Sequence, residues 1–176
     1  MGCDIHLYLE YSGEPTEGRK RYWSGLGGRI NPGRDYDLFA KIAGVRDYSD
    51  DGAKKMFEPR GSPDDMGWAA ADDDRLRVIP DGEDADDREV NRSRAEGWIK
   101  HGSRWIALDE ERPEYWVSDP DNHSHTWLTP AEFRSVLEAP RPDGWGIDEE
   151  YWAVLAAAEE LERRGRTARF VIWFDN

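Results

Sequence analysis

Cysteine is scarce in this chain, and long hydrophobic runs are missing. The one cysteine among 176 residues, Cys3, excludes an intrachain disulfide and is typical of a reducing compartment. No apolar stretch approaches the ~20 residues that a membrane-spanning helix needs, and the N-terminus does not have the apolar core of a signal peptide. We therefore expect a soluble cytoplasmic protein that does not enter a membrane.

Positive charge is also in short supply. The chain has 24 Lys and Arg residues against 38 Asp and Glu residues, so its net charge is −14. Such a surface repels phosphate backbones, and we expect no broad nucleic-acid binding unless a local basic pocket overrides the field. One functional hypothesis is that this acidic surface mimics DNA and blocks a DNA-binding enzyme.

Aromatic side chains supply the surface for a core. Only 38% of the residues are hydrophobic, but nine Trp and seven Tyr can bury large areas. The length suits one domain over residues 1–176, in which the acidic stretch 72–87 is predicted to be a surface loop or an insertion. The many Trp residues are also compatible with a homodimer.

Hydrophobic periodicity predicts an α+β protein. Residues 3–11 alternate between apolar and polar side chains, which indicates a half-buried strand, and the strongly apolar residues 169–174 predict a central strand. Residues 35–44, 129–137 and 148–164 have the apolar stripes and capping residues of helices. We expect a mixed sheet that contains the N- and C-terminal strands and is covered by helices.

Two histidine-bearing motifs suggest a functional site. Asp4 and His6 are two residues apart on the predicted strand, and His123 and His125 have the same spacing, so each pair is expected to share one face. If the two strands are adjacent, the four side chains could hold a divalent metal such as Zn²⁺ or Mn²⁺ and activate water for hydrolysis. In the metal-free alternative, Asp4 orients His6 for acid–base catalysis. The histidines could also simply bond backbone groups.

Arginine and tryptophan residues are candidates for holding a ligand. The forked guanidinium groups of Arg34, Arg46 and Arg60 match the oxygens of a phosphate or carboxylate, although a surface Arg in a turn fits the sequence as well. Trp127 belongs to a set of Trp residues that could stack on a base. Together these residues favour a phosphate-bearing small molecule, such as a nucleotide, as the ligand.

Several short segments resemble landmarks of a family of small proteins encoded by bacteriophages and prophages. These segments are MGCDIH at residues 1–6, RDYDLFAKIAGVR at 34–46, PRGSPDD at 59–65, HSHTWLTPAEF at 123–133 and FVIWFDN at 170–176. The chain has Asp35 where the family has Asn. The resemblance implies a phage-related protein in the cytoplasm of a bacterial host, acting on nucleotides or countering host defence.

Two further functions are alternatives to the hypothesis of an acidic inhibitor of a host protein. The first is a hydrolase site, in which the Asp and His residues hold a metal and the arginines hold the phosphate-bearing substrate. The second is a binding module that sequesters a nucleotide-like immune signal without turnover, which the abundance of Trp and Arg favours. The sequence contains no clear nucleophile that would decide between them.

Overall fold

A computed structural model describes residues 2–14, 21–49, 54–78, 85–105 and 116–175. The chain divides into two compact units, Met1–Ala70 with His123–Asn176, and Ala71–Asn122. In chain order the elements are β1 (Asp4–Ser12), β2 (Ser24–Gly25), α1 (Tyr36–Ala43), α2 (Trp68–Asp73), β3 (Arg75–Arg77), α3 (Ala85–Lys100), β4 (Trp116–Ser118), β5 (His123–Leu128), α4 (Pro130–Glu138), α5 (Glu149–Arg163) and β6 (Thr167–Asp175). The predicted α+β class is confirmed. No helix among these elements is both long and apolar enough to cross a membrane.

The first unit is built on a four-stranded sheet with the strand order β2-β1-β6-β5. Every pairing in it is antiparallel, and β1 pairs with β6 along its full length from Asp4↔Asp175 to Ser12↔Thr167. The C-terminal strand takes the central position, as predicted. Its side chains are apolar on both faces, with Ile172 on one and Trp173 on the other, so both faces have to be covered.

Three helices cover one face of this sheet. Alternate residues of β1 and β6 pack with the apolar stripes of α1, α4 and α5, and the largest of the fully buried side chains include Ile5, Leu38, Phe133, Tyr151 and Phe170. Burying a side chain of this size contributes about 1.5–3 kcal/mol. The helical stripes and the apolar face of residues 3–11 are therefore confirmed, but the prediction of a half-buried strand is wrong, because His6, Tyr8 and Glu10 on the other face of β1 are buried too.

Local capping explains where two of these helices begin. The Asp35 side chain accepts a hydrogen bond from the Leu38 backbone N–H, and α1 ends at Gly44, whose φ of 72° favours glycine. A complete capping box between Thr129 and Glu132 begins α4. These ends place α1 and α4 where the sequence predicts them.

The second face of the sheet is closed by a smaller cluster and a buried ion pair. Tyr8, Val171 and Trp173 pack with residues 66 and 69–70. Beside them, the Arg169 guanidinium bonds the carboxylates of Glu10 and Asp65, and the other Glu10 oxygen accepts the Gly67 backbone N–H at 2.7 Å. This network ties residues 65–67 to the sheet. Residues 64–65 form a turn, and α2 begins at Trp68.

The second unit contains β3, α3 and β4. Leu76 pairs with Val117 between the antiparallel strands β3 and β4, and Val78, Ala95 and Val117 form a small buried cluster. The acidic stretch 72–87 is thus not one loop: it includes the end of α2, all of β3 and the start of α3, while residues 79–84 lie outside the described residues. The strand β3 is hard to predict because Leu76 pairs with Val117, which lies far along the chain.

Candidate active site at the start of the first strand

His6 is held by a carboxylate from the other end of the chain. It is buried, with 6% of its surface exposed, and its Nε2 lies 3.2 Å from Asp175 Oδ2. The other oxygen of Asp175 accepts the backbone N–H of Asp4 at 3.0 Å, because Asp4 and Asp175 are paired in register. The imidazole also stacks on Trp173, with ring centroids 5.2 Å apart. The carboxylate bonded to Nε2 is therefore that of Asp175, although the sequence pointed to Asp4 for this role.

Asp4 engages an arginine instead. Its carboxylate accepts two hydrogen bonds from Arg34, at 2.5 Å from Nε and 3.1 Å from Nη2. These bonds hold the pKa of the Asp4 carboxyl below its usual value. A Cβ at Gly2 would overlap the Arg34 guanidinium. Because Gly2 has no side chain, Arg34 can pack against the N-terminal segment.

Two further arginines reach the same end of β1. Arg29 donates to the Ile5 backbone carbonyl at 3.2 Å, and its charge also lowers the pKa of Asp4. Burial raises the pKa of the Cys3 thiol, and the nearby charge of Arg46 opposes the rise. Arg46 has a φ of 53°, a conformation that non-glycine residues rarely adopt and that often marks a functional position. We call Arg29, Arg34 and Arg46 the arginine cluster.

The second histidine motif does not join this site. The strand order places β6 between β1 and β5, so the two histidine-bearing strands are not adjacent. A bulge between His123 and Thr126, with Ser124 at a φ of 53°, then breaks the alternation of side chains. His123 pairs with Phe174 on the helix-covered face, whereas His125 stacks on Trp173 on the other face, with ring centroids 5.7 Å apart.

This arrangement separates the four predicted metal ligands. His6 and His125 lie on strands two spacings apart, about 10 Å, and the indole of Trp173 stands on the strand between them. His123 is on the opposite face. Among the described residues, no group of three or more His, Cys, Asp or Glu side chains could hold a metal ion. The structure does not assemble the predicted set, and a Zn²⁺ or Mn²⁺ ion in the protein stays a prediction.

Arg60 and Trp127 lie elsewhere on the sheet. The Arg60 guanidinium stacks 4.5 Å above the Trp127 ring and bonds both carboxylate oxygens of Glu132, which lowers the pKa of Glu132 to about 2. Trp127 pairs with Val171, four residues from Asp175 along β6, which is a distance of about 13 Å. Arg60 therefore holds its own segment against β5 and α4. It does not belong to the arginine cluster.

Sequence reasoning missed three members of this region, namely Asp175, Trp173 and Arg29. The only sequence signal for Asp175 is its alternation with Trp173 on one face of a predicted strand. Its pairing with Asp4 depends on the register of two strands from opposite ends of the chain. Arg29 lies in a glycine-rich loop without periodicity, so no pattern points to it.

Comparison with known protein families, with curated proteins and with solved structures found no match.

Proposed function

We propose that the protein binds a phosphate-bearing small molecule, such as a nucleotide, at the start of β1. The observation that carries this proposal is the arginine cluster, in which Arg29, Arg34 and Arg46 act on residues 3–5 from three separate positions along the chain. Guanidinium groups match phosphate oxygens in charge and geometry. On a chain with a net charge of −14, an anionic ligand requires such a local group of cations. The proposal places the protein in the cytoplasm of a bacterial host.

His6 supplies acid–base chemistry for this proposal. A histidine whose ring is held by a carboxylate has a defined orientation and can transfer a proton to or from a bound group. In the hydrolytic version, water attacks the phosphorus as His6, oriented by Asp175, takes its proton, and the leaving alcohol or phosphate oxygen is protonated in turn. A divalent metal bound to the phosphate would supply Lewis-acid chemistry. The burial of His6 favours a second candidate, in which the protein sequesters the nucleotide without turnover.

Binding is tested by isothermal titration calorimetry with inorganic phosphate and ADP. We expect Arg34→Ala and Arg46→Ala each to weaken binding at least tenfold, because each removes a charge-assisted contact. Arg60→Ala removes the same charge where Arg60 contacts Trp127 and Glu132, outside the arginine cluster. It serves as the matched control, and we expect its affinity for both compounds to equal that of the wild type. If neither compound binds, or if the three variants bind alike, the proposal is wrong.

Turnover is tested separately. Untagged protein is incubated with nucleotides in the presence of Mn²⁺, Zn²⁺ or a chelator, and the supernatant after denaturation is analysed by ³¹P NMR. Products that disappear in His6→Ala identify an enzyme, whereas recovery of the intact nucleotide identifies sequestration. The metal content of the untagged protein tests the metal prediction independently of activity.

A further inference from the structure

The guanidinium group of Arg34 already donates hydrogen bonds to a carboxylate of the protein, that of Asp4. We infer that Asp4 is an internal competitor for this arginine, and that it selects terminal, dianionic phosphates over phosphodiesters. The inference rests on the proposed function, and it adds the class of ligand and the contact that sets the selectivity.

The Asp4–Arg34 pair is built so that it can be exchanged. Both partners are partly exposed, with 51% of the Arg34 side chain and 37% of the Asp4 side chain accessible, and solvent-exposed ion pairs contribute little to stability. The backbone of Asp4 is held independently by its bond to Asp175. The Asp4 side chain can therefore rotate away while the strand stays in place.

Arg34 is expected to keep its position when Asp4 leaves. Its guanidinium packs against Gly2, where no side chain stands in the way. An incoming phosphate that replaces the carboxylate also comes near Arg29, which donates to the Ile5 backbone carbonyl one residue from Asp4 and whose charge already acts on the Asp4 carboxylate. The same position thus offers a second cation to a ligand that has more than two free oxygens.

The charge of the ligand decides whether the exchange is favourable. A phosphodiester carries one negative charge, as Asp4 does, so its attraction to Arg34 is no stronger than that of the carboxylate it would replace. A terminal phosphate carries a charge of about −1.5 to −2 at pH 7 and has three free oxygens. It can bond Arg34 through two oxygens and a second arginine through the third. Only this class of ligand exceeds what Asp4 already provides.

The test compares inorganic phosphate with dimethyl phosphate at pH 8 by calorimetry, using the wild type and Asp4→Asn. We expect the wild type to bind phosphate at least tenfold more tightly than dimethyl phosphate. Asp4→Asn should bind phosphate about tenfold more tightly than the wild type and should accept dimethyl phosphate as well. Asp143→Asn changes the net charge equally at an exposed loop position and should behave like the wild type. Asp4→Ser provides a second variant, and thermal melting shows that each variant is folded.

The outcomes separate this inference from the function on which it rests. If the wild type binds phosphate but Asp4→Asn and Asp4→Ser bind it no more tightly, the competitor role of Asp4 is overturned and the proposed function stands. The competitor role is likewise overturned if the wild type binds dimethyl phosphate as tightly as phosphate. If neither the wild type nor the Asp4 variants bind phosphate, both the inference and the proposed function are overturned.

Discussion

The buried ion pair between Arg169 and Glu10 offers the sharpest test of how this sheet is held together. Arg169 is 8% exposed and Glu10 is 1% exposed in their side chains. The Arg169 Nε and Nη2 atoms both lie 2.8 Å from Glu10 Oε2, and the guanidinium stacks 3.8 Å above the Trp23 ring. Replacing Arg169 by Leu keeps an apolar stem over Trp23 but leaves a carboxylate buried without its cation.

The expected cost follows from that uncompensated charge. Removing one partner of a buried ion pair destabilises a protein by about 3–5 kcal/mol. In Arg169→Leu/Glu10→Gln the buried charge is absent and the amide can still accept the Gly67 N–H, so we expect a loss of only about 1–2 kcal/mol. The double variant should therefore be more stable than Arg169→Leu alone.

The pH dependence provides an independent check. Burial raises the pKa of Glu10, and Arg169 opposes the rise, so the pKa of Glu10 should be higher still in Arg169→Leu. When the pKa of a carboxyl is higher in the folded state than in the unfolded state, its protonation stabilises the folded protein at pH values below the unfolded-state pKa. This stabilisation is lost as the pH rises through the folded-state pKa. The free-energy difference between the wild type and Arg169→Leu should therefore shrink from pH 8 to pH 5.

Urea unfolding followed by circular dichroism at both pH values measures these quantities. A loss of less than about 1 kcal/mol in Arg169→Leu would refute the expected cost, because it is below the range for a broken buried pair. An equal loss at pH 5 and pH 8, or a double variant as unstable as the single one, would refute the role of the uncompensated charge.

Two further predictions concern stability. Because bonds to Arg60 lower the pKa of Glu132 from 4.5 to about 2, its contribution is present above pH 4.5 and is lost as the pH falls towards 2. Glu132→Gln should cost about 1–2 kcal/mol at pH 7, allowing for partial solvent screening, and urea unfolding that shows an equal loss at pH 3 would contradict this. A Cβ at Gly67 would lie 2.8 Å from Glu10 Oε1, so Gly67→Ala should lose about 1–3 kcal/mol in thermal melting, whereas Gly97→Ala, which meets nothing within 4 Å, should gain about 0.5–1 kcal/mol. Equal melting temperatures for the two glycine variants would rule out the predicted clash.

Much of the local structure follows from the sequence by itself. The alternation of β1 assigns Asp4 and His6 to one face, and the capping residues Asp35 and Thr129 determine where α1 and α4 begin. These features depend on side chains within a few residues of each other, so a single stretch of sequence contains all the information they need. The apolar character of β6 similarly requires a central position in the sheet.

The site itself was decided by tertiary structure. The position of β6 between β1 and β5 separates His6 from His125, and the bulge at Ser124 turns His123 to the other face. Register, not spacing, supplies Asp175 to His6. The pairing and register of strands from opposite ends of the chain depend on many long-range contacts, so local sequence patterns do not determine them. For this protein the sequence alone determined the faces and the helix ends, and only the folded chain determined which charged groups meet.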